Sequence, residues 1–162
     1  MVTTGVNGIN CKCWTGNLTR PNWPAFLVYA NNQNGVTGTS NDYYIQFVNT
    51  VVDTNSGWNG TDTYTIPSGY GGIWQLTLNA EFSGYGAADL MILYLYQTGS
   101  YNGYWRYYSS YPSFFSISGT FTVPCVAGDT FKVVITVHNA ASNSVNVVGG
   151  QTLTSFCGVQ VA

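Results

Sequence analysis

The chain has 162 residues, of which 45% are apolar, 16% aromatic and 6% charged, with a formal net charge of −2. That length and apolar load fit one domain with a real core and exclude a disordered segment. Four basic residues are too few to neutralise a nucleic-acid backbone or to hold an anionic membrane surface, and no run nears the roughly 20 apolar residues of a membrane span.

Residues 1–24 read as an irregular arm. Gly5, Gly8, Gly16, Pro21 and Pro24 interrupt any regular pattern, while Trp14 and Trp23 give it apolar anchors. Its start, "MVTTGVNGINCKCW", has neither a basic n-region nor an apolar h-region and does not read as a secretory signal. Cys11 and Cys13 stand too close to pair with each other. Pairing of either with Cys125 or Cys157 stays open, but the expected state of the thiols is free and buried.

From residue 25 onward, strand signals follow one another and no helical period appears. Strands are expected at about 25–30, 43–49, 62–66, 72–82, 88–97, 103–109, 114–123, 130–138 and 152–161, with a doubtful short one at 145–148. "IWQLTLNAEF" is the clearest. Trp74, Leu76, Leu78, Ala80 and Phe82 share one face, and Gln75, Thr77, Asn79 and Glu81 share the other. Pro67 to Gly72 forms a stiff corner that delivers this strand to the core. "DLMILYLYQ" is apolar on both faces and is expected to be covered on both. Strands at this density, separated by Gly, Asn, Ser and Pro, imply an all-β fold, an antiparallel two-sheet jelly-roll sandwich over 25–162.

"YNGYWRYYSSYP" (101–112) is the one unusual stretch, with six aromatic residues of twelve and Arg106 as its single charge. Rings beside a lone guanidinium suit sugar stacking or a protein interface, so Tyr101, Tyr104, Trp105, Arg106 and Tyr107 are a candidate partner-binding surface. Alternation divides them. Tyr104, Arg106 and Tyr108 share one face, Trp105 and Tyr107 the other, and an ordinary strand with half its rings in the core remains open.

"PAFLVYAN" (24–31), "FVNTVVDTNSGWN" (47–59), "YTIPSGYGGIW" (64–74), "VAGDTFKVVI" (126–135) and "TSFCGVQV" (154–161) occur in an order that resembles the globular head of the complement C1q family, within the tumour necrosis factor superfamily. The resemblance spans roughly residues 24–162 and implies a homotrimer about a three-fold axis. It also implies that Phe156, two residues before Gly158, lies near that axis, with Gln75 and Thr77 on the axis-facing side; ordinary core is the alternative for Phe156. No Gly-X-Y stalk is present. Heads of this kind occur on phage and other viral structural proteins, which this near-chargeless composition resembles.

Catalysis finds little to work with. His138 is the only histidine, and no G-x-S-x-G nucleophile motif occurs. The carboxylates Asp42, Asp53, Asp62, Glu81, Asp89 and Asp129 show no D-x-D clustering, and Asp53 and Asp129 sit beside turns where aspartate binds local backbone. No enzyme activity, metal or cofactor is expected. The first expectation is a non-enzymatic homotrimer on the virion surface, made in the host cytoplasm and decorating or cementing a capsid protein through the arm. The second is the receptor-binding tip of a tail or capsid fibre, recognising a host glycan through the aromatic stretch.

Overall fold

The structure, a computed structural model, describes residues 23–37, 42–84, 90–108, 114–138 and 144–162; at 37, 90, 101, 104–108 and 144 it describes the backbone alone. Twelve strands occupy these segments: β1 (Ala25–Tyr29), β2 (Gln33–Thr37), β3 (Tyr43–Tyr44), β4 (Asn49–Asp53), β5 (Tyr64–Thr65), β6 (Gly72–Ser83), β7 (Leu90–Gln97), β8 (Ser100–Tyr108), β9 (Phe114–Cys125), β10 (Thr130–His138), β11 (Ser144–Val148) and β12 (Ser155–Gln160). They form a seven-stranded sheet, ordered β2-β11-β6-β12-β1-β4 with β9 also on β6, and a five-stranded sheet, ordered β3-β10-β7-β8 with β5 on β10. All pairings are antiparallel. The expected sandwich is present.

β6 organises the larger sheet because its alternation is strict. Trp74, Leu76, Leu78, Ala80 and Phe82 are buried between the sheets, and the residues between them stay half-exposed. All twelve residues pair with β9 along one edge, so β12 (opposite 74–79) and β11 (opposite 81–83) lie end to end along the other. The corner expected before β6 carries the chain from the smaller sheet, where β5 pairs with β10, into the larger. Tyr70 N–H donates to the Pro67 carbonyl at 3.1 Å, and Gly69 (φ 85°) supplies the left-handed turn.

Aromatic rings fill the space between the sheets. Phe26 stacks on Tyr64 at 4.0 Å and meets Phe156 edge-on at 5.0 Å; Trp74 packs on Tyr64 at 5.5 Å. Such pairs add about 0.5–1.5 kcal/mol beyond the burial of their area. Gly158 makes this possible, since a Cβ there would stand 2.4 Å from Phe26 Cε1. At the "DTNSGW" turn, the Asp53 carboxylate accepts the backbone N–H groups of Gly57 (3.1 Å) and Trp58 (2.9 Å). The fixed turn holds Trp58 against Phe47 and Phe26.

The expected strand at 43–49 is two short strands, β3 and β4, in different sheets. Between them Ile45 and Phe47 are buried from an irregular stretch whose amides reach the carbonyls of Val133 and Thr61. β2 has one buried apolar residue, Val36, and no alternation to announce it. The doubtful strand at 145–148 is real, as β11.

Candidate functional site

Tyrosine collects on the outer face of the five-stranded sheet. The core face of β10 and β7 takes Phe131, Val133, Ile135 and Val137 with Met91, Leu93 and Leu95. By parity the outer face takes Lys132, Val134 and Thr136 with Ile92, Tyr94 and Tyr96. The ladder sets these in rows across the strands. One runs Tyr44, Val134, Tyr94 and position 104; a second runs Lys132, Tyr96 and position 101; a third runs Thr136, Ile92 and position 106.

Side-chain contacts confirm that the rows share a face. Tyr44 and Tyr96 meet edge-to-face at 6.4 Å, and Lys132 Nζ lies 4.8 Å from the centre of the Tyr44 ring. Lys132 also pairs with Asp62 at 3.4 Å. Burial alone would raise the Asp62 pKa, but hydrogen bonds from Thr63 and Asn59 and the Lys132 charge bring it below the ordinary aspartate value. In the third row the Thr136 hydroxyl donates to Asp42 at 3.1 Å. Val134 is wholly buried on this outer face, flanked by two taller tyrosines, and Ile92 and Thr136 are buried beside it. The expectation that β7 is covered on both faces holds for Ile92; Tyr94 and Tyr96 keep part of their rings exposed.

The register sorts the aromatic stretch read from the sequence. Tyr101, Tyr104 and Arg106 stand at outer-face positions, opposite Tyr96, Tyr94 and Ile92. Trp105 and Tyr107 stand opposite Leu93 and Met91, both wholly buried, and so occupy core-face positions. The side chains of Trp105 and Tyr107 lie outside those described, and the register leaves positions 101, 104 and 106 on the outer face. Tyr44, Tyr94 and Tyr96 were missing from the expectation. No local pattern could supply them, since strand pairing alone brings them beside β8.

Phe156 requires a correction. Its ring is 1% exposed and packs against Phe26 and Phe47 between the sheets, so within one subunit it is core and cannot line an axis. Gln75 and Thr77 point outward from the seven-stranded sheet, where the Thr77 and Thr120 hydroxyls share a 2.9 Å hydrogen bond. Trp14 lies outside the described residues. Trp23 is half-buried, and the head grips the chain just after it, with Gln160 N–H donating to the Pro24 carbonyl at 3.2 Å.

Among the described residues no three His, Cys, Asp or Glu side chains converge. His138 ends β10, half-buried, opposite Leu90. Asp129 accepts bonds from Val126 N–H (2.9 Å), the Gln97 amide (3.0 Å) and the Thr98 hydroxyl (2.9 Å). Led by the backbone bond, these hold its carboxyl below the usual range. An open cleft of about 480 Å³ between the 55–57 loop, the Pro67 corner and the Ala127–Gly128 turn is lined by no titratable side chain. Cys125 is a buried free thiol; burial, with Asp129 near by, pushes it up to about 12.

No protein-family model matches the sequence, and no curated protein does. Solved structures do match. The globular domain of zebrafish complement 1qA protein is 17% identical with a TM-score of 0.60, covering 86% of this chain and 98% of that one. Murine APRIL at pH 5.0 gives 12% identity, a TM-score of 0.64 and coverage of 86% and 99%. Eiger TNF from S. frugiperda gives 13%, 0.59, and 86% and 93%. At these identities the likeness is one of fold. The chain has the C1q/tumour-necrosis-factor jelly roll that its sequence resembles.

Proposed function

We propose that this chain is a non-enzymatic structural head on a virion surface, a homotrimer that decorates a capsid protein through its N-terminal arm. The observation that supports it best is the outer face of the seven-stranded sheet. Its seven strands contain no lysine or arginine, and of their two carboxylates Asp53 is engaged in its turn. Gln75, Thr77 and Asn79 of β6 stand beside Ser118, Thr120 and Thr122 of β9 on one side and Cys157 and Val159 of β12 on the other. A face whose centre is uncharged, with Glu81 towards one end, can pack against a copy of the chain while stripping water from few ions.

Light scattering on the full chain is expected to give three times the chain mass. Thr77→Arg, at an outward strand position, would place three cations in the contact and is expected to yield folded monomers. A trimer unaffected by that charge would remove this face from the interface. Deleting residues 1–20 is expected to leave a trimer that no longer coats particles; undiminished coating would overturn the role of the arm.

The tyrosine face favours a second reading, the receptor-binding tip of a tail or capsid fibre that recognises a host glycan.

A further inference from the structure

We propose that the outer face of the five-stranded sheet, centred on Tyr44, Tyr94 and Tyr96, binds an uncharged oligosaccharide laid across the strands. The proposal rests on the second reading above and commits it to a surface and a ligand class.

The face is built for rings. Tyr44, Tyr94 and position 104 lie in one row over β3, β10, β7 and β8. Three interstrand steps of about 4.8 Å make that row about 14 Å long, the reach of a short sugar chain rather than a single ring. Tyrosine suits such a ligand because its ring meets the C–H face of a sugar while its hydroxyl meets the sugar hydroxyls. The rings are already held. Tyr44 is fixed between the Lys132 ammonium and Tyr96, and buried Val134 forms the floor. Little side-chain freedom is left to lose on binding.

Charge decides between ligand classes. Among the described side chains the face carries Lys132 against Asp42 and Asp62, with Arg106 at an outer-face register position; Lys132 is paired with Asp62, and Asp42 accepts the Thr136 hydroxyl. A sialylated or sulfated chain would find no net positive field to offset its desolvation. A protein partner is disfavoured for a different reason. Val134 and Ile92, the apolar residues at the centre of this face, are buried already, so a second surface would remove little more apolar area from water there. An uncharged saccharide needs neither the field nor the apolar area. The Asp42–Thr136 row offers it hydrogen bonds that fix its orientation.

The test is a glycan array probed with the full-length protein, carrying maltohexaose, cellohexaose, mannohexaose and chitohexaose beside sialylated and sulfated glycans. At least one uncharged hexasaccharide is expected to bind. Tyr44→Ser and Tyr96→Ser should each weaken that binding roughly tenfold or more, while Tyr96→Phe, which keeps the ring, should retain most of it. Each variant's melting temperature and light-scattering mass are checked against the parent protein, and a pair of variants guards against one failing to fold. Binding of acidic glycans alone, binding of nothing on the array, or binding indifferent to both serine variants would overturn the proposal. None of those results touches the oligomeric state, which Thr77→Arg tests separately.

Discussion

Phe156→Ala discriminates most sharply between a core residue and an interface residue. The ring is 1% exposed, edge-on to Phe26 at 5.0 Å and tilted against Phe47 at 5.9 Å, with Leu76, Leu78 and Val133 bordering the same apolar space. Truncating a core phenylalanine costs about 3–5 kcal/mol, the upper end applying where neighbours cannot close the hole. Here they are held from both sheets, Phe26 and Leu76 on strands of one and Val133 on a strand of the other, so the upper half of the range is expected. For a chain of this length each kcal/mol moves the melting temperature by about 2–4 °C, which makes a fall of roughly 10–20 °C. Circular dichroism melts at several protein concentrations, with light scattering on the same samples, separate subunit unfolding from dissociation. Phe156→Asp goes further. A buried, unpaired carboxylate adds several kcal/mol, and the sum approaches the whole 5–15 kcal/mol by which such domains are stable, so no folded subunit is expected. A Phe156→Ala protein that dissociates yet melts within 2–3 °C of the parent would refute the core assignment.

Two further outcomes follow from single side chains. Burial raises the Cys125 pKa to about 12, so the thiolate is scarce at pH 8, and iodoacetamide should leave it unmodified in the native protein and label it after unfolding in urea; labelling at the rate of a free thiol, read by peptide mass spectrometry, would contradict its burial. Asp129 has a folded pKa below its unfolded value, so the stability it contributes is fully present above about pH 4 and is lost as pH falls through the folded pKa. Asp129→Asn should therefore flatten the drop in melting temperature between pH 5 and pH 2, and parallel curves for the two proteins would rule the carboxylate out as a source of acid sensitivity.

The fold was legible wherever one face of a strand was apolar and the other polar. β6 is the best case, since burial follows its sequence residue by residue. Legibility failed where both parities carry the same chemistry. In β12, Phe156 alternates with Cys157 and Val159, so the sequence alone did not say which set turned inward. In β8, Tyr104 and Trp105 look alike to a period-two reading, and only the ladder to β7 separates them. The stretch around Ile45 and Phe47 misled in another way. Both residues are buried on an alternating pattern, yet the chain between β3 and β4 leaves one sheet for the other, which hydrophobicity does not record. The candidate site was half visible. Its β8 share is local in sequence, whereas Tyr44, Tyr94 and Tyr96 join it through pairings to β10 and β7.

The two outer faces differ because side-chain height differs, and height governs what can approach a sheet. On the larger sheet the outward positions of β6 and β9 hold mostly Thr, Ser, Gln and Asn, with Glu81 and the exposed Phe114 towards one end. The smaller sheet carries tyrosines around Val134, with the Tyr44 and Tyr96 rings meeting edge-to-face across two rows. A narrow chain with flat faces can lie against those rings, and a broad protein surface would rest on the ring tips. Charge does not enter either contact strongly, since Lys132–Asp62 is the one ion pair among the described residues. Shape and uncharged hydrogen bonds are left to decide what docks where, which is why the proposals above give copies of the chain one face and a slender neutral ligand the other.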